Sequence, residues 1–124
     1  MSPKPFHVVL PMPPNIANGR MHWRKKWKVQ RDYYALLDTM QAAGQIPAPP
    51  DHPIRRPVLT SLMLCGARHD HDNAVARHKW CLDWLATRGY IVNDKHLDWH
   101  SFPEQDVKRR ERYEIHLTLW ERAA

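Results

Sequence analysis

The residues best suited to chemistry in this chain are three aspartates and a lysine. Asp70 and Asp72 stand directly before a helical pattern, Lys79 lies within that pattern, and Asp94 follows it. In an extended segment residues i and i+2 point to the same side, so Asp70 and Asp72 would converge. Converging carboxylates need a cation between them, and Mg²⁺ prefers carboxylate oxygens. The spacing predicts a magnesium site, which Asp94 would join if the chain folds back after the helix.

Lys79 could serve this site or a simpler purpose. It lies seven residues, about two helical turns, after Asp72. Helical side chains lean towards the N-terminus, so its ammonium group could reach back and stabilise charge on a phosphate. It could equally form an exposed ion pair with Asp83, four residues further on. Spacing alone does not decide between the two.

Two other interpretations of the acidic segment stay open. Asp72 or Asn73 could cap the following helix, because a side-chain oxygen at that position accepts a backbone N–H. One cap explains one aspartate and leaves the other unexplained. His69 and His71 could instead bind a transition metal, although two imidazoles are too few for a closed zinc site. The sequence has neither a CxxC nor an HExxH motif to complete one.

A basic segment near the N-terminal end could contact a polyanion. Cations and aromatic rings alternate there: Arg20, His22, Trp23, Arg24, Lys25, Lys26, Trp27, Lys28 and Arg31. Cations at a helix N-terminus oppose the helix dipole, which indicates a purpose other than local stability. We predict that this segment and Arg68 contact phosphates, against the alternative of a solvated helix face.

The composition is that of one folded domain spanning residues 1–124. The chain is 43% hydrophobic with six tryptophans, which argues against disorder, and its formal charge of +6 favours polyanionic partners. Cys65 and Cys81 lie in apolar patterns, as free thiols in a reducing compartment do, so we expect a cytoplasmic protein. The first apolar run is too short for a signal peptide, and no stretch approaches the roughly 18 apolar residues of a membrane span.

The pattern of elements predicts an α+β domain in the order β-α-β-α-β-β, a small mixed sheet with two main helices. The expected strands are Phe6–Leu10, Val58–Cys65 (central in the sheet), Leu97–Phe102 and Tyr113–Trp120. The expected helices are Trp23–Ala43, with core residues Val29, Tyr33, Leu36, Met40 and Ala43, and Ala74–Arg88, with Val75, His78, Leu82 and Leu85. The proline-rich segment Ile46–Pro57 is expected to be a stiff connector.

Five motifs together give a family resemblance. They are LPMPPN, NGRMHW, RHDHDN, KWCLDWL and GYIVND, and they span nearly the whole chain. In this order they resemble the RusA family of Holliday-junction resolvases, which are mostly of phage and prophage origin. The resemblance implies a homodimeric endonuclease with an α+β fold that nicks four-way DNA junctions symmetrically. It also implies Mg²⁺ as cofactor, for which Mn²⁺ could substitute.

The family's functional residues can be placed on this sequence. Its DxDN aspartates fall on Asp70 and Asp72, its later carboxylate on Asp94, and its helix lysine on Lys79. By this resemblance the aspartates hold the metal and Lys79 stabilises the transition state. The residues expected to contact DNA are Arg20, His22, Arg24, Lys25, Lys28 and Arg68.

The chain also departs from the family pattern. Its segment between Asp72 and Lys79 is longer, and Asn93 stands where an acidic residue often precedes the third aspartate. These departures, and the tryptophans of the basic segment, leave open a preference for flaps or replication-fork DNA. A non-catalytic junction-binding or DNA-binding protein is the alternative to a nuclease.

Overall fold

The computed structural model describes residues 5–14, 23–108 and 113–122. The helices are α1 (Trp23–Ala42), α2 (His71–Ala76) and α3 (Lys79–Thr87), with a 3₁₀ turn at Asp94–His96. The strands are β1 (Phe6–Pro11), β2 (Pro57–Leu64), β3 (Asp98–Trp99), β4 (Glu104–Asp106) and β5 (Glu114–Glu121). The predicted α+β class with a small mixed sheet is confirmed.

Strand β2 lies at the centre of the sheet, as predicted. It pairs antiparallel with β5 and parallel with both β3 and β4, while β1 pairs antiparallel with β5. The nearly continuous apolar sequence of β2 suits a strand flanked on both sides. The last strand has one buried face, on which Ile115, Leu117 and Leu119 are at most 1% exposed. Tyr113 was predicted on that face but precedes the strand and is 57% exposed.

One predicted strand is shorter than expected, and one strand is new. Only Asp98–Trp99 forms a strand within Leu97–Phe102, because just Val58 and Leu59 of β2 pair there. A further short strand, β4, lies in the charged stretch before β5 and was not predicted. It pairs with the second half of β2, so the two short strands share one edge of that strand.

Helix α1 is the long helix predicted, and it ends as expected at Gly44. The glycine adopts φ 81°, and Gln45 N–H donates to Met40 O, which closes the helix with a left-handed cap. The core-facing residues are Tyr33 and Leu37. Leu36 was predicted to be in the core but is 47% exposed, because the buried stripe follows the i, i+4 spacing of Tyr33 and Leu37.

The second predicted helix is broken in two at Arg77–His78. His78 donates its backbone N–H to Val75 O, and its ring Nδ1 donates to Ala74 O, the acceptor that an unbroken helix would offer the backbone. The ring therefore satisfies the carbonyl that the break leaves free. His78, Leu82 and Leu85 are buried, as predicted, and Val75 is half-buried.

The chain turns back after α3 at Gly89. This residue adopts φ 87°, a left-handed conformation that glycine adopts without strain. Tyr90 and Ile91 that follow are buried, and Ile91 forms a parallel bridge with Ile54 of the proline-rich connector. The turn thereby carries the chain back to Asp94. None of the helices in the described residues is long and apolar enough to cross a membrane.

Candidate functional site

The first acidic residue of the DxDN motif caps a helix. Asp70 has an extended backbone and its side chain accepts the N–H of Asn73 at 2.9 Å, so it is the N-cap of α2. We predicted Asp72 or Asn73 in that position, two or three residues too late, because the helix begins at His71. Asp72 lies in the first turn of α2, exposed to solvent, where its charge favours the helix dipole.

The two carboxylates that meet in the structure are those of Asp83 and Asp94. Asp83 lies on α3 and Asp94 begins the 3₁₀ turn, eleven residues later in the sequence. The turn at Gly89 brings the two close enough for Asp94 to raise the pKa of Asp83, and both are half-buried. We refer to Asp83 and Asp94 as the carboxylate pair.

Electrostatics at this pair favour one shared proton or a cation. Burial raises the pKa of Asp83, and the hydrogen bond and negative charge of Asp94 raise it further, while the ammonium group of Lys79 lowers it. A carboxylate held beside a second one resists ionisation unless positive charge is supplied. Lys79 begins α3 one turn before Asp83, so its ammonium group acts on the carboxylate pair.

Asp70, Asp72 and Asp94 are not assembled into one site. Throughout residues 5–14, 23–108 and 113–122, no three His, Cys, Asp or Glu side chains form a group that could hold a metal ion. The carboxylate pair provides two oxygen ligands of the kind that Mg²⁺ uses while keeping several waters. The donor set of the pair therefore fits a hard divalent cation, and the roles of Asp70 and Asp72 stay predictions.

The two histidines of the motif are engaged in other contacts. The His71 ring stacks on Phe102, with centroids 4.5 Å apart and planes 16° apart. The backbone of His69 is held by Gln105, whose side chain accepts its N–H and donates to its C=O. Neither histidine joins a metal-binding group within the part of the chain that the structure describes.

The first two turns of α1 expose the predicted cations. Lys25, Lys26 and Lys28 are exposed and form no ion pair with any described residue, and the first turn contains no acidic residue. Arg24 lies over the ring of Trp23 and Arg31 over that of Trp27, at 5.2 and 5.0 Å from the ring centroids. Trp23 and Trp27 are themselves 67% and 58% exposed. We refer to these seven residues as the basic helix face.

Of the three other residues expected to contact DNA, the structure describes one. Arg68 is exposed in the loop that precedes α2. Arg20 and His22 lie outside the described residues, so the structure gives no account of them.

A groove lies beside the basic helix face, with Tyr34 on its wall as the residue nearest in effect to the carboxylate pair. It has a volume of about 380 Å³ and runs between α1 and α3, where Trp27, Gln30, Arg31, Tyr34, Asp38 and Arg88 line it. Tyr34, whose hydroxyl accepts a hydrogen bond from Gln30, is close enough to Asp83 for that carboxylate to contribute to its raised pKa, although burial is the larger cause.

The two helices that form this groove are fixed to each other. Arg88 on the α3 side binds Asp38 of α1 through two hydrogen bonds of 2.7 Å, and the indole N–H of Trp84 donates to the same carboxylate at 2.9 Å. The Arg88 guanidinium holds the pKa of Asp38 below its usual range. A two-pronged arginine–carboxylate contact fixes orientation as well as distance. The spacing between the basic helix face and Asp83 is thereby set.

Sequence reasoning missed the partner of Asp94. We considered Asp83 only as an ion-pair partner of Lys79, although Gly89, midway between Asp83 and Asp94, was a signal that the chain could reverse there.

Comparison with models of known protein families gives no match, and comparison with curated proteins gives none either.

Proposed function

We propose that this chain is a metal-dependent endonuclease that cleaves branched DNA, most often four-way junctions. The observation that carries the proposal is the carboxylate pair beside Lys79, on the helix that the α1–α3 groove separates from the basic helix face. A strand bound along cations and aromatic rings would present its phosphates to paired carboxylates. The junction as substrate rests on the resemblance to the RusA family.

Each residue near the pair has a distinct role in this proposal. Asp83 and Asp94 would hold Mg²⁺ through carboxylate oxygens, and Asp72, exposed at the start of α2, would be a further ligand. Mg²⁺, when bound, supplies positive charge to the phosphodiester and to an attacking water. Lys79 offers its ammonium group to the negative charge that grows on the phosphate during cleavage. Asp70 holds the N-terminus of α2 in place.

The basic helix face binds the DNA without reading its sequence. Lys25 and Lys28 neutralise phosphates, which suits a protein that recognises branch shape. The exposed rings of Trp23 and Trp27 offer stacking surfaces for bases that a branch leaves unpaired. Symmetric nicking of a junction requires two sites related by a twofold axis, so the proposal includes a homodimer. The free, buried thiols of Cys65 and Cys81 support a cytoplasmic location.

The test is cleavage of a labelled four-way junction in Mg²⁺, compared with linear duplex and flap DNA of the same sequence. We expect nicks in the junction and little cleavage of the duplex. Asp94→Asn and Asp72→Asn should abolish nicking while leaving junction binding intact. Asp51→Asn, which changes an exposed aspartate of the proline-rich connector, is the matched control. Nicking that persists in Asp94→Asn at the wild-type rate would refute the role of the pair.

A second candidate function is a junction-binding protein without catalytic activity. It is favoured by one observation: Asp70, the first residue of the motif, is fully explained as a helix cap. This alternative requires that junction affinity be the same in Mg²⁺ and in EDTA, and that no divalent cation support nicking. Any Mg²⁺-dependent nicking by the purified chain that Asp94→Asn removes excludes it.

A further inference from the structure

A pocket separate from the α1–α3 groove contains an arginine that forms no ion pair with any carboxylate in residues 5–14, 23–108 and 113–122. The pocket has a volume of about 420 Å³ and lies where the end of β2, the turn between α2 and α3, and the residue preceding β5 meet. It is lined by Cys65, Gly66, Ala67, His69, Arg77 and Tyr113. We refer to it as the Arg77 pocket.

The Arg77 guanidinium has spare donors. Its Nε donates to Pro13 O at 2.9 Å, and it forms no ion pair with any residue that the structure describes. The ionisable groups closest to it, Cys65, Cys81 and Tyr33, all have a pKa raised by burial and are neutral at pH 7. Burial also lowers the pKa of Arg77, which nonetheless keeps its proton. A half-buried charge without a partner is costly, and a bound anion would compensate it.

Other donors line the same pocket. The backbone N–H groups of Gly66 and Ala67 donate no hydrogen bond to any described residue. A Cβ at Gly66 would lie 2.6 Å from the Tyr113 hydroxyl, so glycine at this position lets the hydroxyl lie over the turn. That hydroxyl has no hydrogen-bond partner within the described ranges. Spare N–H and O–H donors beside a guanidinium match the acceptors of a tetrahedral oxyanion.

The charges around the pocket are mixed, with arginine on the inside. Burial raises the pKa of Cys65, the charges of Arg77 and Arg68 lower it, and the charge of Asp106 raises it. Asp106 accepts the N–H of Lys108 and so has a partner of its own. His69 has its pKa lowered by burial and by Arg77, while Asp70 raises it, so the ring is neutral at pH 7 and can donate one N–H.

We propose that the Arg77 pocket binds a phosphate group. The guanidinium nitrogens of Arg77 that Pro13 leaves free donate to two phosphate oxygens, and the Tyr113 hydroxyl and the N–H groups of Gly66 and Ala67 complete the cradle. The phosphate is either free or the end of a nucleic-acid strand. The second source rests on the proposed function, but the pocket itself does not, because it shares no residue with the carboxylate pair, Lys79 or the basic helix face.

The first experiment measures binding of inorganic phosphate by calorimetry at constant ionic strength, with chloride as the balancing anion and no divalent metal. We expect one phosphate per chain. Arg77→Lys keeps the charge but loses the planar fork, and it should weaken binding about tenfold or more. Arg56→Gln is the matched control: it removes an exposed cation at the opposite end of β2, about 30 Å along the strand from Gly66.

A second variant guards against a folding defect in Arg77→Lys, since this arginine also holds Pro13. Tyr113→Phe removes only an exposed hydroxyl, and it should weaken phosphate binding about three- to tenfold with an unchanged melting temperature. Absence of saturable phosphate binding in the wild type overturns the proposal. So does equal phosphate affinity in the wild type and Tyr113→Phe.

The source of the phosphate is decided by competition. A short single strand with a 5′-phosphate is compared with the same strand ending in a 5′-hydroxyl, each displacing inorganic phosphate. A strong advantage for the phosphorylated strand identifies a strand end as the ligand, and no advantage identifies free phosphate. If phosphate binds but the junction is not cleaved, the nuclease proposal fails and the Arg77 pocket stands; the reverse result refutes the pocket alone.

Discussion

Acidification should destabilise this fold through one buried histidine. His78 is fully buried, its Nδ1 donates to Ala74 O at 2.7 Å, and its Nε2 accepts the hydroxyl of Ser61 at 2.6 Å. Both nitrogens are satisfied only in the neutral ring, because a protonated ring could no longer accept from Ser61. Burial lowers the pKa of His78 from 6.5 to about 4, against a small opposing effect of the Ala74 hydrogen bond.

The sign and size of the effect follow from that pKa. Between pH 6.5 and 4 the unfolded chain binds a proton that the folded chain does not. Stability therefore falls as pH decreases through this window. The free energy of unfolding should lose about 2 kcal/mol by pH 5 and about 3 kcal/mol by pH 4 through this residue alone.

The assay is urea unfolding at pH 7 and pH 5, followed by tryptophan fluorescence. Other groups also titrate, so the test is a comparison of variants. His78→Leu, combined with Ser61→Ala to avoid an unsatisfied hydroxyl, should lose about 2 kcal/mol of the stability difference between the two pH values. His52→Gln, which changes an exposed histidine of the connector, should retain it. An unchanged pH difference in the double variant would refute the reasoning.

Three further predictions concern the proposed site. Asp83→Asn should raise the free energy of unfolding at pH 7, because the pKa of Asp83 is raised in the fold, and it should abolish nicking; equal or lower stability than Asp51→Asn in urea would contradict the burial argument. Lys79→Met should slow single-turnover junction cleavage about 100-fold without changing junction affinity, and a loss of affinity alone would make Lys79 a binding residue. Lys25→Gln with Lys28→Gln should reduce the slope of log affinity against log salt by about 2 relative to Arg56→Gln, measured by fluorescence anisotropy, and an unchanged slope would remove the basic helix face from the interface.

Local pattern determined most of the elements. The alternation in Ile115, Leu117 and Leu119 fixes a strand with one buried face, and the apolar run of β2 fixes its central place, because both depend only on which faces are buried. Helix α1 and its end at Gly44 follow from periodicity and from the left-handed residue that the cap needs. Asp94 was a candidate ligand by its position after the helix, on the condition that the chain folds back, and the sequence does not give that geometry.

Only the tertiary structure decided where the helix after the DxDN motif breaks and which carboxylates meet. The break depends on His78, whose ring bonds to Ala74 O and Ser61 Oγ, and Ser61 lies on β2, seventeen residues away. Asp83 and Asp94 meet because Gly89 reverses the chain and Ile91 bridges to Ile54 in the connector. Periodicity in a sequence reports which side of an element is buried. It does not report contacts between elements distant in the sequence, and the carboxylate pair and the Arg77 pocket both consist of such contacts.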